Sequence, residues 1–335
     1  MLDTLGYLAF YFVWVIIGGE KIMKEFLIQE NDAHQRIDKF ISKSTTIPKS
    51  MMYRLIRQKK IKVNRKRCEP QQILNVSDTV QMFVADEFFI SKEIQIKASK
   101  LKKIVYEDEN LLILDKETGI PVHADKNHSN DTLMDQILKY LVDSGQYDPS
   151  KEASFVPALA NRLDTNTGGL IIACKNAEAL RTMNEMIRCH QVEKHYVCII
   201  EGQIKEGRYD HFYMKDKNQN KAYIYDVKKE GTVPVSLVVT PLHQGHCYSL
   251  LDIHLITGKS HQIRAQLAHL GHPLIGDIKY HGKKIGSHQA LYAYKLSFHS
   301  KNEHFMYLNS LEFIQKNNFV IDQFKSLEHI EAFKN

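Results

Sequence analysis

The sequence predicts the α+β fold class, with a large domain built on a mixed, largely antiparallel β-sheet with flanking helices and a small α/β domain before it. Segments with helical and with strand periodicity follow one another without strict alternation, which favours a mixed sheet over a doubly wound parallel sheet. The chain has 335 residues, 43% of them hydrophobic, which is enough for two domains with real cores. A local excess of positive charge near the N-terminus marks the smaller domain.

The smaller domain is predicted to contain two helices and two strands. Apolar residues with helical spacing follow Arg36, and Pro48 opens a second helix that ends at Gln58. Alternating polar and apolar residues predict strands at 61–63 and 78–84. These elements account for the segment in which the positive charge is concentrated.

The larger domain is predicted from strand-like and helical segments after residue 103. Strands are expected at 104–106, 111–116, 196–200 and 250–255, and helices at 131–141, 177–190 and 262–270. Gly271 and Pro273 are the residues that typically stop a helix, and they follow the last of these helices directly. The order of the segments again favours a mixed sheet.

The basic segment predicts a polyanionic partner. Twelve Lys and Arg residues lie between Arg36 and Glu69, opposed only by Asp38 and Glu69. The rest of the chain is mildly acidic, because the net charge of the whole is only +6. A solvated surface usually mixes both signs, so we favour nucleic acid as the partner of this segment. Such a face can bind nucleic acid through counterion release without reading its sequence.

The first 22 residues form an apolar leader unlike the rest of the chain. Its apolar stretch, residues 5–19, is shorter than the roughly 18–20 residues needed to cross a bilayer. Asp3 also stands where a signal peptide would carry positive charge. We expect Met23 to be the natural start, and a membrane-associating helix is the alternative.

The cysteines and histidines predict no disulfide framework and no metal site. The five cysteines are odd in number and form no Cys-x-x-Cys pair, which favours a reducing, cytoplasmic setting. The seventeen histidines lack the helical spacing of a zinc protease. We interpret them as scattered polar residues.

The loop 161–169 carries the most informative acid of the chain. Asp164 lies there among Asn, Thr and Gly residues, directly before an apolar run that predicts a buried strand. Loops held by a rigid scaffold often carry catalytic groups, but alone this acid is better explained as a turn residue that caps its own backbone. By the same reasoning Tyr196 alone would be a core tyrosine, and Arg264 a surface arginine on a helix.

Four segments of the basic domain resemble successive blocks of the S4-type RNA-binding domain. They are residues 36–41, 50–56, 61–64 and 78–80, within a resemblance that covers 34 to about 85. The resemblance implies structured RNA as the ligand. The candidate RNA-binding residues are the cations Lys39, Arg54, Arg57, Lys59, Lys60 and Lys62.

Four ordered segments of the larger domain resemble the RluA-type RNA pseudouridine synthases, from 104 to about 298. They are residues 114–123, 161–170, 193–198 and 257–277. The resemblance implies that uridine becomes pseudouridine without a cofactor: the glycosidic bond breaks, the base turns and a carbon–carbon bond forms. It implies that Asp164 is the essential carboxylate and that Arg264 pairs with it. Tyr196 would stack on the target uracil, and Arg162 would bind the substrate beside it.

The resemblance has departures and leaves one role open. The family has His where Asn161 stands and Ser where Gly168 or Gly169 falls, while Lys259 and Ser260 replace Arg and Thr. The acid, the tyrosine and the arginine are all retained. Asp164 would attack the sugar, attack the base ring or drive formation of a glycal, and the sequence does not choose among these.

The predicted organisation is an apolar leader at 1–22, an S4-like domain at 34–88, a linker at 89–102 and a synthase domain at 103–330. We expect a cytoplasmic monomer that modifies structured RNA, large-subunit ribosomal RNA first and transfer RNA second. No metal is expected, and no membrane contact unless the leader is native. The alternative is a non-catalytic RNA-binding or ribosome-assembly protein on the same fold.

Overall fold

The computed structural model describes residues 16–17, 20–21, 23–89, 96–124, 131–216, 218–245 and 247–332. The chain divides into two compact units, of which the first comprises residues 1–96, 141–157 and 176–178 and the second comprises the rest. The predicted leader lies outside the described residues except for the paired two-residue strands β1 (Ile16–Ile17) and β2 (Glu20–Lys21). In the described part of the chain no helix is long and apolar enough to cross a membrane. The domain bounds 34–88, 89–102 and 103–330 stay predictions.

The first unit contains a four-stranded antiparallel sheet and two short helices. The elements are β3 (Lys24–Leu27), α1 (Ile37–Ser44), α2 (Lys49–Arg57), β4 (Ile61–Val63), β5 (Lys66–Arg67) and β6 (Thr79–Met82). The strand order is β3–β6–β4–β5. Both helices are amphipathic and bury the apolar faces that their spacing predicts, with Phe40 and Met52 in the core. The basic residues between these apolar positions are thereby left on the surface.

The second unit is built on one eleven-stranded sheet. Its strands are β7 (Ile104–Glu107), β8 (Leu111–Lys116), β9 (Ala158–Leu159), β10 (Gly168–Cys174), β11 (Val192–Glu201), β12 (Gly207–Asp216), β13 (Lys221–Tyr225), β14 (Val233–Gln244), β15 (Tyr248–Leu255), β16 (Leu291–Phe298) and β17 (Glu312–Ile314). The main path runs β13–β12–β14–β15–β11–β16–β10–β8–β7, with β9 on β10 and β17 on β16. The β10–β16 pair is parallel and the other pairs are antiparallel. The predicted fold class is confirmed.

Helices pack on this sheet and place its central strands in the core. The remaining helices are α3 (Leu133–Asp143), α4 (Ala177–Arg188), α5 (Gln262–His269) and α6 (Phe319–Ala332). Met183 of α4 is buried in one cluster with Ile172 of β10, and Phe324 of α6 is buried in another with Ile199 of β11. The strands that carry the predicted site residues are therefore fixed on a packed scaffold.

The predicted elements of this unit all form, with ends that shift by a few residues. The predictions missed β9, β12, β13, β14, β16, β17 and α6. In β12 the first exposed positions carry Arg208 and Asp210, and the buried positions that follow carry His211 and Tyr213. Such a strand lacks the apolar run or the clean alternation by which strands are recognised.

Candidate active site

Asp164 lies in the loop between β9 and β10, and α5 brings Arg264 to it. Nη1 of Arg264 donates to Oδ2 of Asp164 at 2.8 Å. The same guanidinium donates from Nε and Nη2 to the two carboxylate oxygens of Asp277, at 2.7 and 2.8 Å. Asp277 thus holds the arginine in a bidentate pair, and this pair aims the remaining nitrogen at Asp164.

Burial differs sharply between the two carboxylates. The side chain of Asp277 is 1% exposed, that of Arg264 is 8% exposed, and that of Asp164 is 24% exposed. Burial alone would lower the pKa of Arg264, but the hydrogen bonds and charges of Asp277 and Asp164 outweigh it, so the pKa is raised. The guanidinium is therefore a permanent cation, and Asp164 is the acid that a substrate can reach.

His261 is a second neighbour of the Asp164 carboxylate, and Tyr280 contacts His261 from the other side of its ring. The Tyr280 hydroxyl accepts the backbone N–H of Ala222 at 2.8 Å and lies 3.1 Å from Nδ1 of His261. Its proton has no other acceptor among the described residues, so the hydrogen-bond pattern assigns it to Nδ1. Nε2 of His261 then carries the imidazole proton, 3.8 Å from Oδ2 of Asp164.

The surroundings of His261 favour the neutral form of its imidazole. Burial lowers the pKa of His261 to about 4, with the charge of Asp164 opposing the shift and that of Arg264 adding to it. His261 thus supplies an N–H dipole beside the carboxylate and leaves the permanent positive charge there to Arg264.

Lys116 of β8 fixes the backbone of the Asp164 loop through hydrogen bonds. Its buried Nζ donates to the carbonyl oxygens of Glu117, Ile120 and Thr165 at 2.8–2.9 Å. Burial lowers the pKa of this ammonium to about 8, and the charge of Asp164 opposes the shift. Because Thr165 directly follows Asp164, Lys116 connects the loop to the end of β8.

Gly169 allows the strand after the loop to approach β16. Its φ is +116°, and a Cβ built there would lie 2.2 Å from the carbonyl oxygen of Ala293. Any side chain at this position would clash with backbone, so glycine is required. A Cβ at Gly168 would lie 3.0 Å from the ring of Tyr292. The two glycines, one of which stands where the family has Ser, therefore allow β10 and β16 to pack closely.

The loop, β11 and α5 line one cavity of about 830 Å³, to which Asp164, Arg264, Tyr196, Arg162 and Asn161 all contribute. Tyr196 is buried, and burial raises the pKa of its phenol, with the charge of Asp164 adding to the effect. Arg162 is exposed. Oδ1 of Asn161 accepts the backbone N–H of Ile172 at 2.8 Å. The structure therefore brings together the substrate residues that the sequence predicts for the second unit.

The six predicted RNA-binding cations belong to the first unit. Lys39, Arg54, Arg57, Lys59 and Lys60 are exposed. Lys62 is half-buried and holds its ammonium 5.4 Å from the centroid of the Phe83 ring. Their accessibility is compatible with RNA binding, and their role stays a prediction.

Sequence reasoning assigned no role to several residues of the site. Asp277, His261 and Lys116 stand inside the motif segments that carry the family resemblance, whereas Tyr280 lies just beyond them. The position of these residues in or next to the motifs was the available signal. Their partners lie far away in sequence, so spacing could not reveal which contacts they make.

One cluster of side chains has the composition of a metal site. His211, Asp226 and His269 offer ligand atoms within 4.8 Å of one another, and it is the one such group among the residues described. Nε2 of His269 lies 2.8 Å from Oδ1 of Asp226, and Nε2 of His211 lies 3.8 Å from the same oxygen. His211 could bind a metal through Nε2 only if that nitrogen carries no proton.

A chain of hydrogen bonds along α5 indicates which ring nitrogen of His211 carries the proton. The backbone N–H of Lys259 donates to Oε1 of Gln262, whose Nε2 donates to Oε1 of Gln266 at 2.9 Å. Nε2 of Gln266 therefore faces Nδ1 of His211, at 2.9 Å, and leaves the proton of that imidazole on Nε2. A protonated Nε2 cannot ligate a metal. The cluster is therefore better explained as a set of hydrogen bonds that joins α5 to Asp226, directly after β13. The expected absence of a metal stays a prediction.

Comparisons with known proteins agree with this fold. A family model described as RNA pseudouridylate synthase matches residues 110–269, and an S4 domain model matches residues 35–80. A Mycoplasma capricolum protein named as an uncharacterized RNA pseudouridine synthase is 31% identical over 311 residues, which cover 89% of this chain and 99% of that protein. Ribosomal large subunit pseudouridine synthase C of Escherichia coli is 29% identical over 269 residues, 77% of this chain and 80% of that protein.

A solved structure shares the fold of the chain. The human RNA pseudouridylate synthase domain containing 4 aligns with a TM-score of 0.52 and 20% identity, over 68% of this chain and 93% of that one.

The family model and the relative that matches nearly the whole chain show an isomerase of the pseudouridine synthase class. The chain belongs to the RNA pseudouridine synthase family, of the RluA type, and it also carries an S4 domain. The predicted family and the predicted enzyme class are thus confirmed.

Proposed function

We propose that this chain converts specific uridines of large-subunit ribosomal RNA to pseudouridine, with Asp164 as the essential carboxylate acting on a flipped-out nucleotide. The observation that carries the proposal is the Asp164–Arg264 ion pair, 2.8 Å long, in a cavity that Tyr196 also lines. A base inside a helical stack cannot reach such a cavity, so the target nucleotide must leave the stack.

The residues of the cavity have complementary tasks in this proposal. Arg264 holds the Asp164 carboxylate in place by a 2.8 Å hydrogen bond, whether that carboxylate attacks the sugar, attacks the base or drives glycal formation. The ring of Tyr196 offers a flat surface to the detached uracil while the base turns. The bond from N1 to the anomeric carbon breaks, a bond from C5 to that carbon forms, and the C5 proton leaves as N1 gains one.

Ribosomal RNA is proposed as the substrate because of the relative and the N-terminal domain. The Escherichia coli relative is named for the large ribosomal subunit. The exposed cations of the first unit suit a structured RNA, and we place the enzyme in the cytoplasm as a monomer. Transfer RNA is the second candidate substrate.

The test maps pseudouridines in ribosomal and transfer RNA from cells with and without this protein. We expect at least one uridine of large-subunit ribosomal RNA to lose its modification and to regain it when the gene is restored. Loss at transfer RNA positions alone would replace the substrate. Unchanged maps in both RNAs would instead support the alternative, a non-catalytic RNA-binding or ribosome-assembly protein.

A further inference from the structure

Lys194 is a buried lysine that lines the proposed catalytic cavity. It lies on β11 two residues before Tyr196, and both side chains face the cavity and are about equally buried, at 7% and 6% exposed. Residues two apart on a strand point to the same side, roughly 6.6 Å from one another. The ammonium therefore lies one step along the strand from the ring proposed to contact the uracil.

No hydrogen bond or ion pair joins the side chain of Lys194 to another residue in the described part of the chain. A Cβ built at Gly258 would lie 3.7 Å from Nζ, which places the ammonium beside the loop that leads into α5. Burial lowers the pKa of Lys194. By contrast, Lys116 of the same unit, which is also buried, donates to three carbonyl oxygens. A buried ammonium without such acceptors is costly unless it pairs with an anion or loses its proton.

The cavity contains no spare anion for it. Of the described residues that line the cavity, Asp164 is the one carboxylate, and Arg264 already neutralises it. The remaining charged lining residues are cations, namely Arg162, Arg188, Lys194, Lys215 and Lys259. Lys194 differs from its neighbours Lys259 and Arg188 because those two are exposed and hydrated. It is therefore the unpaired cation best placed for one fixed anion.

We propose that Lys194 binds the phosphate group adjoining the target uridine once the nucleotide has entered the cavity. The proposal rests on the proposed function, since an RNA substrate supplies this anion. A lysine is a compact point charge that suits a phosphodiester oxygen. Fixing the phosphate next to Tyr196 would hold the ribose while the base is detached and turns.

The test combines substitutions of Lys194 with removal of one phosphate charge. The RNA is a short fragment around the mapped uridine, made with natural linkages or with one neutral methylphosphonate on the 5′ or the 3′ side of that uridine. The variants are Lys194→Met, Lys194→Arg and the exposed control Lys259→Met. Pseudouridine formation is measured as kcat/KM.

We expect Lys194→Met to lower kcat/KM on the natural RNA by about 10- to 100-fold, the range of a charge-assisted hydrogen bond. On one of the two methylphosphonate RNAs the parent enzyme should already be slow, and Lys194→Met should then cost less than about threefold more. Lys194→Arg should keep most of the activity on the natural RNA, because it retains the charge. Lys259→Met should affect the natural and the neutral RNA by equal factors.

Two results would overturn the proposal. The first is that the loss from Lys194→Met simply multiplies with the loss from each of the two methylphosphonates, which would place the lysine away from both phosphates. The second is that Lys194→Arg is as inactive as Lys194→Met, which would indicate a neutral amine acting as a base. If the parent enzyme converts no RNA, the proposed function fails. The role of Lys194 is then tested by the binding of uridine 5′- or 3′-monophosphate and of uridine. We expect one monophosphate to bind more tightly than uridine to the parent protein but not to Lys194→Met. Equal affinities of the parent for the monophosphates and for uridine would contradict the proposal.

Discussion

The linked charges of Asp164, Arg264 and Asp277 and the cations of the basic N-terminal unit follow opposite rules. Arg264 and Asp277 are almost fully buried, and Asp164 is held by the same arginine at 2.8 Å. In the first unit Arg54, Arg57 and their neighbours are exposed on a short helix and the turn that follows it.

This difference separates two ways in which charge serves an RNA enzyme. Buried, paired charges define one geometry, and the loss of one partner leaves the other without compensation in a poorly hydrated place. Exposed cations attract a polyanion through counterion release, and each contributes a small and nearly interchangeable share. Substitutions among the linked residues Asp164, Arg264 and Asp277 should therefore have large and specific effects, and those in the basic unit small and additive ones.

The sharpest contrast is expected from Asp164→Ala. Removing the carboxylate proposed to take part in bond breaking should lower kcat by at least about 1,000-fold. RNA affinity should change by less than about threefold, because Asp164 is one acid in a cation-rich cavity. The measurement is single-turnover pseudouridine formation together with filter binding. Asp164→Asn is the isosteric control, and equal product from this variant and the parent would refute the role of the carboxylate.

Arg264→Met should have the next largest effect, and it should extend to stability. It leaves Asp277, 1% exposed, without its partner, so we expect a loss of about 3–5 kcal/mol in the free energy of unfolding. Chemical denaturation followed by circular dichroism measures this loss. The exposed Arg188→Met, which also changes a cavity arginine, should cost less than about 1 kcal/mol. Similar stabilities for the two variants would show that burial does not set the energy of the cavity charges.

Tyr280→Phe tests whether the hydrogen-bond chain through His261 matters for Asp164. The variant removes the hydroxyl that accepts from Ala222 and donates to Nδ1, so the imidazole loses its fixed tautomer. We expect about a tenfold loss in kcat, equivalent to about 1.4 kcal/mol, with KM unchanged. Tyr223→Phe removes a hydroxyl from the same unit, one that is bonded to Gln219, and should leave kcat within twofold. Equal kcat values for the two variants would exclude the chain from catalysis.

The sequence alone was enough to predict the fold class and the two amphipathic helices of the first unit. These predictions succeed where the signal is local, as in the apolar face that carries Phe40. An ordered set of motifs also singled out Asp164, Tyr196 and Arg264. The structure places these three residues in one cavity, and their roles stay predictions.

The remaining features of the site depend on contacts between distant segments. Nothing local in the sequence shows that Asp277 is almost fully buried while Asp164 is a quarter exposed, although both are bound by Arg264. Likewise, Lys116 and Lys194 are both lysines of β-strands, yet one has three acceptors and the other has none among the described residues. Partner identity and burial arise from tertiary packing, which spacing does not encode.

The smallest effect is expected from a single exposed cation of the first unit. Arg57→Ala should reduce the slope of log affinity against log salt by about 0.7–0.9 if Arg57 contacts one phosphate, and kcat at saturating RNA should stay unchanged. Filter binding between low and physiological salt measures the slope, and Lys301→Ala supplies an exposed cation of the second unit as the control. An unaltered slope for Arg57→Ala would show that this arginine is merely solvated. A fall in kcat instead would mean that the basic unit positions the substrate, so the division between interchangeable and geometric charge would no longer hold.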